Sequence, residues 1–370
     1  MKLNCKIILS VFFITVLSLS VNAQQLRLAS SIPVNETAEI YGINGNNIII
    51  RDGSKLTFLD SRLKPGKEII FDDGQVPVVS RNGRFYAVIE KGEPDSATGV
   101  VLNSATIYSN RHFAQWGALD IADGRYFLSP NGDYLIVISS GGDYFASRMY
   151  LYHKDLPPKE VPAVGFESIT IAPDGRHFLL DLGHNGDKLF NSSGEIIAEF
   201  PHHPISDFDK NSEYMAHFLK NELSLVESGR ETETIELKGL LLKDFQYDQA
   251  RGYLTLLYPN SVILYDLKNK NNIWQFHPFH KNGQYESIDY SSTGNYIACG
   301  LDINLGGGVV DSLQHTTGYV YLYGIDGKRF AEFKLSYNKY NFGHPSVQFM
   351  PGDRYITART ADRLYFIELY

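Results

Sequence analysis

The chain has 370 residues, of which 43% are hydrophobic and 21% charged, and its formal net charge is −8 at pH 7. This length and apolar content are sufficient to bury a large core. An acidic chain repels phosphate backbones and anionic membrane surfaces at long range, which argues against nucleic acid as a partner.

The first residues have the pattern of a secretory signal peptide. Lys2 and Lys6 precede an apolar run at 7–21, and small residues end at a cleavage site near Ala23. The run is shorter than the roughly twenty residues that a membrane-spanning helix needs. We therefore expect a signal peptide at 1–23, a single domain at 24–370, no membrane insertion after cleavage, and a secreted or periplasmic location.

Cysteine usage excludes an internal disulfide in the mature chain. Cys5 lies in the segment that would be removed, so Cys299 is the one cysteine left. The most economical interpretation of Cys299 is a small buried residue on a strand. The fold must then be stabilised by apolar burial and by hydrogen bonds between strands.

A turn flanked by two apolar runs recurs along the chain. Its clearest copy is Ser-Pro-Asn-Gly at 129–132, and the surrounding hairpin covers 125–138. Asn-Gly and Asp-Gly pairs favour tight hairpin turns because both residues tolerate positive φ. Further copies lie at 78–90, 169–182, 287–301 and 347–358. The recurrence predicts a repeat protein built from short antiparallel strands.

Each repeat unit is interpreted as four strands, with the turn between the first and the second. The first unit has predicted strands at 38–43, 46–52, 55–61 and 67–73, and the second at 75–80, 84–90, 104–109 and 112–117. The third unit has a predicted hairpin at 125–138 and strands at 148–155 and 159–164, and the fourth has a hairpin at 169–182 and strands at 188–194 and 195–200. The fifth unit has predicted strands at 213–219, 222–228 and 231–237, and the sixth at 241–250, 252–258, 261–267 and 272–278. The seventh unit has a predicted hairpin at 287–301 and strands at 318–326 and 329–335, and the eighth has strands at 347–353, 354–360 and 363–369.

The two ends of the chain complement each other. The eighth unit lacks a fourth strand, whereas the strand-like segment 25–32 belongs to no unit. Pairing of 25–32 with 363–369 would close a ring and remove exposed sheet edges. Four-stranded units with a period in the low forties are typical of β-propellers. The count is eight blades, with seven as the alternative because the turn at 209–212 is degenerate.

The turns also resemble those of known propellers. Ser-Pro-Asn-Gly at 129–132, Ala-Pro-Asp-Gly at 172–175 and strands such as Ile-Leu-Tyr-Asp at 263–266 are similar to segments of the WD-repeat and TolB-like β-propeller families. The resemblance covers most of 25–370. It implies an all-β fold of four-stranded antiparallel blades and carries no implication about activity.

This topology separates two faces of the ring. Loops between the second and third strands, at 91–103, 139–147 and 301–317, and links between blades emerge on one face, called here the upper face, and the recurring turns lie on the lower face. Loops on a rigid scaffold usually carry binding. The candidate ligand-binding residues are the histidines and tyrosines predicted for the upper face: His184, His202, His203, His277, His280, His315, Tyr337, Tyr340 and His344.

Two classes of function remain open. The first is a non-catalytic, monomeric module without a cofactor that binds a protein or a carbohydrate through the upper face. The second is an enzyme, a lyase or hydrolase, or a metal-binding protein. It would use the same histidines together with carboxylates predicted on or before the first strands, which line the channel: Asp120, Glu167, Asp207, Asp244, Glu286 and Asp289. Several histidines or carboxylates converging within about 4 Å of one point would favour this class.

Linear motifs give the second class little support. The nucleophile elbow Gly-x-Ser-x-Gly of hydrolases is absent. His277 and His280 have a spacing that zinc ligands use, but no further carboxylate or thiol accompanies them. Asp302, Asn304 and Asp311 offer oxygen ligands for calcium at a spacing that departs from the EF-hand loop.

Overall fold

The computed structural model describes residues 25–35, 37–42, 48–60, 63–94, 101–139, 147–201, 205–208, 212, 214–219, 222–227, 230–237, 242–248, 251–280, 282–303, 317–335 and 344–370. In these residues, 32 strands form eight antiparallel sheets of four strands each. No helix among them is long and apolar enough to cross a membrane. The fold is therefore all-β, as predicted.

The first strand of the chain, β1 (Leu26–Pro33), stands apart from the four strands of blade one. The strands of blades one to four follow in chain order: β2 (Glu39–Tyr41), β3 (Ile49–Asp52), β4 (Lys55–Leu59), β5 (Pro65–Ile70), β6 (Gln75–Val79), β7 (Phe85–Glu90), β8 (Asn103–Ser109), β9 (Ala114–Ile121), β10 (Arg125–Leu128), β11 (Tyr134–Ser139), β12 (Arg148–His153), β13 (Leu156–Pro162), β14 (Ser168–Ile171), β15 (His177–Asp181), β16 (Asp187–Asn191) and β17 (Ile196–Phe200).

Blades five to eight repeat the same order of strands. Their members are β18 (Ile205–Phe208), β19 (Tyr214–Leu219), β20 (Glu222–Glu227), β21 (Arg230–Glu236), β22 (Asp244–Asp248), β23 (Tyr253–Tyr258), β24 (Ser261–Asp266), β25 (Asn271–Phe276), β26 (Gly283–Tyr290), β27 (Tyr296–Ile303), β28 (Thr317–Gly324), β29 (Arg329–Leu335), β30 (Ser346–Phe349), β31 (Tyr355–Arg359) and β32 (Arg363–Leu369).

The N-terminal strand completes blade eight. β1 pairs with β32 and becomes the outermost strand of the sheet β1-β32-β31-β30. The Arg27 side chain donates hydrogen bonds to the Glu368 carboxylate at 2.8 and 2.5 Å, and Arg354 binds the other carboxylate oxygen at 3.0 and 2.8 Å. The predicted closure and the count of eight blades are confirmed, and the alternative of seven is wrong.

The recurring turn is held by one buried hydroxyl and one glycine. The Ser129 Oγ accepts a hydrogen bond from the Tyr134 amide at 3.0 Å, and Ser129 is fully buried. Gly132 has φ +74°, in the region that side chains rarely adopt. The Ser291 Oγ and the Tyr296 amide repeat the same bond at 3.0 Å in blade seven. The repeated sequence therefore encodes a repeated hairpin.

These lower-face turns also join neighbouring blades. Trp116 Nε1 of blade two donates to the Gly132 carbonyl, in the first turn of blade three, at 2.7 Å. Trp274 Nε1 of blade six donates to the Ile325 carbonyl, in the turn between the third and fourth strands of blade seven, at 3.0 Å. Asn82 Nδ2 donates to the Pro130 carbonyl at 2.7 Å. The lower face is thus committed to holding the ring together.

The core lies between blades. Between blades three and four, for example, Tyr134, Phe178 and Phe190 are fully buried, and the two phenylalanine rings stack at 5.0 Å. Burial raises the pKa of the Cys299 thiol well above its usual range, in keeping with its predicted position on a buried strand. The first strand of each blade is innermost, so that the ring encloses a channel.

Several strand boundaries differ from the prediction, among them those of blades one and two. The fourth strand of blade two is Ala114–Ile121 rather than 112–117, because alternation of partly buried and exposed side chains continues past Trp116. Asp120 therefore belongs to the outermost strand of its blade and not to the channel wall. The fourth strand of blade one begins at Pro65 and ends at Ile70, earlier than predicted.

Candidate functional site

Four of the predicted ligand-binding residues lie in the described part of the chain, and all four are on the upper face. His184 lies in the 3₁₀ helix Gly183–Asn185, between the second and third strands of blade four. His277 and His280 lie in the link from β25 to β26, and His344 precedes β30. The remaining predicted residues fall outside the described residues: His202, His203, His315, Tyr337 and Tyr340.

An aromatic surface, called here the aromatic patch, is formed by Phe279, His280, Tyr319 and Arg329. It extends from the upper-face link between blades six and seven along blade seven to Arg329, at the lower end of β29. The His280 ring stacks on Tyr319 with centroids 4.5 Å apart. The Arg329 guanidinium lies 4.7 Å from the centre of the Phe279 ring. Phe279 itself is 75% exposed. The patch therefore offers an apolar ring that is held in place by its neighbours and remains open to solvent.

Local chain chemistry explains how the patch is formed. The Gly283 amide donates to the His280 carbonyl at 2.9 Å, closing the link as a tight turn directly before β26. A Cβ atom at Gly283 would come within 3.1 Å of the Pro278 Cβ. A side chain here would force its neighbours to shift by a few tenths of an ångström, so the packing favours a glycine at the start of β26.

His277 and His280 do not act as a pair. His277 Nδ1 lies 2.9 Å from the Asn260 carbonyl oxygen, whereas the His280 ring is stacked on Tyr319. The buried His280 Nε2 has no hydrogen-bond partner among the described residues. The predicted zinc-like spacing therefore corresponds to two separate side-chain environments.

A second group of side chains lies at the upper end of blade seven and is called here the blade-seven cluster: Lys243, Glu286, Asp302 and His344. The His344 Nδ1 is 3.4 Å from Asp302 Oδ2 and 3.7 Å from Glu286 Oε1. Lys243 Nζ is 2.7 Å from Glu286 Oε2. The imidazole is 66% exposed, while the Glu286 and Asp302 side chains are 9% and 12% exposed.

Burial dominates the electrostatics of this cluster. It raises the pKa of Asp302 above its usual value, His344 opposes that rise, and the neighbouring Glu286 carboxylate adds to it. The Asp302 Oδ1 atom is buried and has no hydrogen-bond partner among the described residues. The cluster places an imidazole beside two carboxylates, and it connects the chain just before β30 to blade seven.

The sequence suggested two regions that could bind a metal: the link with His277 and His280 for zinc, and the loop that begins near Asp302 for calcium. In the part of the chain that the structure describes, no three histidine, cysteine or carboxylate groups are placed so that they could hold a metal ion. Asn304 and Asp311, the other two residues of the calcium hypothesis, lie outside the described residues. Among the described histidines, His184, His280 and His344 lie in three different links or loops, and none of them belongs to such a group.

The channel carries charged residues that the sequence pattern did not connect. Arg81, on the lower turn of blade two, lies 3.9 Å from the Asp207 carboxylate of blade five, across the ring. Burial, together with the nearby Asp207 and Asp289 charges, raises the pKa of Asp244 to about 7. Arg329 of the aromatic patch was likewise missed. Neither arginine has a sequence signal, because each meets its partner only through the ring geometry.

The fold and these surfaces define a class: the chain is an eight-bladed β-propeller. No protein-family model matches the sequence, and a search of curated proteins finds no significant match. Solved structures do match over most of the chain, which places the similarity in the fold rather than in the sequence.

Three of these structures show the range of the similarity. The C-terminal WD40 domain of Sif2 has a TM-score of 0.61 at 8% identity, covering 93% of this chain and 98% of that one. BamB from Moraxella catarrhalis has a TM-score of 0.54 at 13% identity, covering 93% and 99%. Dihydro-heme d1 dehydrogenase NirN, in complex with DHE, has 0.50 at 13% identity, covering 82% and 66%. At these identities the likeness concerns the fold alone, and the fold-level resemblance to WD-repeat propellers is confirmed.

Proposed function

We propose that this protein is an exported β-propeller that binds another protein through the aromatic patch, whose exposed ring lies in the upper-face link between blades six and seven. The observation that carries the proposal is the ring of Phe279, which is 75% exposed yet fixed by Arg329. Aromatic and arginine side chains are enriched among the residues that dominate protein interfaces. An ordered exposed ring loses little conformational freedom when a partner covers it.

The division between the two faces supports the choice of the upper one. The lower-face turns take part in hydrogen bonds between blades: the Gly132 carbonyl accepts from Trp116, and the Asn82 side chain donates to the Pro130 carbonyl. Phe279, His277 and His344 on the upper face remain exposed. The WD40 domain of Sif2 and BamB share the propeller fold, and propellers commonly present the loops of one face to a partner.

Export is part of the same proposal. The charged and apolar residues of 1–23 have the pattern of a cleaved signal peptide. Removal of that segment would leave every described strand, from Leu26 onward, in the ring. Expression in a bacterial host followed by N-terminal sequencing of the exported protein tests this step, and a mature terminus near Gln24 is the expected result.

The binding proposal is tested with single substitutions in the mature chain 24–370. Phe279→Ala removes the exposed ring of the patch. Phe113→Ala is the matched control, because Phe113 is also exposed, at 67%, but lies in the turn between the third and fourth strands of blade two. Both variants and the wild type serve as bait for proteins of the host envelope, and binding of each captured protein is then measured in purified form.

The expected result is a partner that binds the wild type and Phe113→Ala equally and binds Phe279→Ala roughly tenfold or more weakly, the loss typical of an interface hot spot. Equal binding by all three baits would place the interface elsewhere and contradict the proposal. A carbohydrate lost specifically with Phe279→Ala, in the absence of any such protein, would keep the patch but replace the class of partner.

A further inference from the structure

The central channel contains a cavity of about 630 Å³, formed by first strands of blades one to four and eight. Small-molecule sites typically measure roughly 300–1,000 Å³. The cavity is separate from the aromatic patch, which lies between blades six and seven and contains no residue that lines the cavity. We propose that it binds a small organic anion, a carboxylate or phosphate attached to an apolar body.

The apolar body is inferred from one level of the ring. Equivalent positions of the first strands, judged by their register with the second strands, carry Ile40, Val78 and Phe127 in blades one to three. All three residues line the cavity. The same positions of blades five to seven carry Asp207, Gln246 and Asp289. Blades four and eight carry the polar residues Thr170 and Gln348 at this level, and both also line the cavity. The apolar wall is therefore formed by blades one to three, and the rest of the channel is polar.

Polar side chains on blades six and seven already form hydrogen bonds with the neighbouring blade. The Gln246 side chain donates to the Ile288 carbonyl at 3.1 Å and accepts from the Tyr290 amide at 3.0 Å. Asp289 Oδ2 accepts from the Phe349 amide at 2.6 Å. These side chains form the hydrogen bonds that the inner edge of the next blade's first strand needs. Because they are already bonded, we expect a ligand to lie against the apolar side of the channel.

Arg125 supplies the first group for an anion. Its guanidinium lies at the upper end of the cavity, 5.6 Å from the Phe127 ring centre and 5.2 Å from that of Phe166. Among the described residues, no carboxylate forms an ion pair with it. The two ring centroids lie 6.3 Å apart on one side of the guanidinium, and Arg125 is exposed, so its N–H edge can form two parallel hydrogen bonds with a carboxylate or phosphate.

Arg81 supplies the second group. Its side chain is 55% exposed and lies 3.9 Å from Asp207, too far for a direct hydrogen bond. Such a solvated pair contributes little and can be exchanged for an anion in the cavity. Arg51, in contrast, is committed to Glu39 at 2.8 Å and to the Pro77 carbonyl at 2.9 Å. Two cavity arginines are thus available in a chain whose net charge is −8.

The test is isothermal titration calorimetry of the mature chain 24–370 with three probes of one shape: benzoate, phenyl phosphate and the neutral benzamide. We expect benzoate or phenyl phosphate to bind and benzamide to bind at least tenfold more weakly. The comparison of the two anions distinguishes a carboxylate ligand from a phosphate ligand.

Substitutions then locate the site. Arg125→Gln should weaken the anion at least tenfold if the anionic group lies at the upper end of the cavity, and Arg81→Gln should do so if it lies at the lower end. One of the two substitutions is expected to have this large effect. Arg84→Gln is the matched control, because Arg84 is exposed on the same turn as Arg81 but does not line the cavity, and it should bind as the wild type does. Both cavity arginines are exposed, so that the variants are expected to fold, and circular dichroism and the Tm verify this.

Absence of binding by either anion would overturn the inference. Equal binding of benzamide would also overturn it, because charge would then play no part. Anion binding that survives Arg125→Gln and Arg81→Gln would move the site out of the channel. None of these results affects the aromatic patch, since its test uses different residues and a protein partner.

Discussion

Gly132 occupies a position where a side chain would be penalised twice. Its φ of +74° is strained for other residues, and a Cβ atom would lie 2.7 Å from the Phe85 ring of the preceding blade. We expect Gly132→Val to lower the free energy of unfolding by about 2–4 kcal/mol, since a strained backbone costs on the order of 1–3 kcal/mol and the clash adds to it. Urea denaturation measures the loss.

Substitution of Gly352 allows the backbone strain to be measured without the steric clash. It has a similar φ of +81°, but nothing lies within 4 Å of the Cβ position. Gly352→Val should therefore carry the backbone strain alone and cost about 1–2 kcal/mol. Equal losses for the two variants would mean that contact with Phe85 has no weight, and a neutral Gly132→Val would contradict the assigned turn.

Asp244 gives a prediction of pH dependence. Its pKa is raised to about 7 by burial first and by the charges of Asp207 and Asp289 next, with Arg81 opposing the rise. An unfolded aspartate ionises near pH 4. The folded state therefore binds the extra proton between about pH 4 and 7, and the stabilisation that the protonated carboxyl provides at low pH is lost as the pH rises through 7.

Asp244→Asn removes this titration. Between pH 4.5 and pH 8 we expect the stability of the wild type, relative to the variant, to fall by about 1–3 kcal/mol, a value reduced from the full shift to allow for solvent screening. Urea denaturation of both proteins at the two pH values measures it. A difference between the proteins that stays constant with pH would show that Asp244 titrates normally.

At the scale of strands, the inner edges of the blades determine how the ring is held. A first strand has one edge without a strand partner, and side chains of the preceding blade bond to it, as Ser287 Oγ does by accepting from the Val347 amide at 3.0 Å. Asp289 does the same for the Phe349 amide at 2.6 Å. These bonds substitute for a neighbouring strand.

Asp289→Ala tests this role. Because Asp289 is 4% exposed, its loss leaves the Phe349 amide buried without its acceptor, which should cost about 1–3 kcal/mol. Hydrogen exchange of the Phe349 amide should accelerate together with the loss of stability. Asp155→Ala is the control, because the Asp155 side chain is 69% exposed and should change stability by less than about 0.5 kcal/mol. An unchanged rate of hydrogen exchange at the Phe349 amide would contradict the proposed role of Asp289 as the acceptor for this strand edge.

The strands differ in how far their sequence determines them. The hairpins with a Ser-Pro-Asn-Gly turn were predictable, because Ser129 and Gly132 act within a few residues of each other. The fourth strands were less predictable, because their pattern of buried and exposed side chains depends on the contacts that they make with the next blade. Trp116 is an example: it bonds to the Gly132 carbonyl of the next blade, and strand β9 continues beyond it to Ile121.

At the scale of the molecule, the candidate sites depend on contacts between distant blades. The upper-face position of His280 and His344 follows from topology, and the sequence predicted it. The stacking of His280 on Tyr319, the pairing of His344 with Asp302 and the approach of Arg81 to Asp207 across the channel do not follow from spacing. Each depends on the curvature and register of whole blades, which no local pattern encodes.

Closure of the ring is the property on which the whole molecule depends. β1 supplies the outermost strand of blade eight, with Ile32 buried and Leu26 packed against the core of that blade. Its removal would expose the edge of β32 and would deprive Glu368 of Arg27. We expect a chain that lacks residues 25–33 to melt many degrees lower than the mature chain, because one blade loses a quarter of its strands and the ring loses its closure.

A peptide added in trans makes this prediction specific. Residues 25–35 as a synthetic peptide should raise the Tm of the shortened chain in proportion to the logarithm of peptide concentration, because the peptide binds only the folded ring. A peptide of the same composition in scrambled order should have no effect. An unchanged melting curve after deletion, or equal recovery with the scrambled peptide, would mean that β1 merely covers the ring and does not close it.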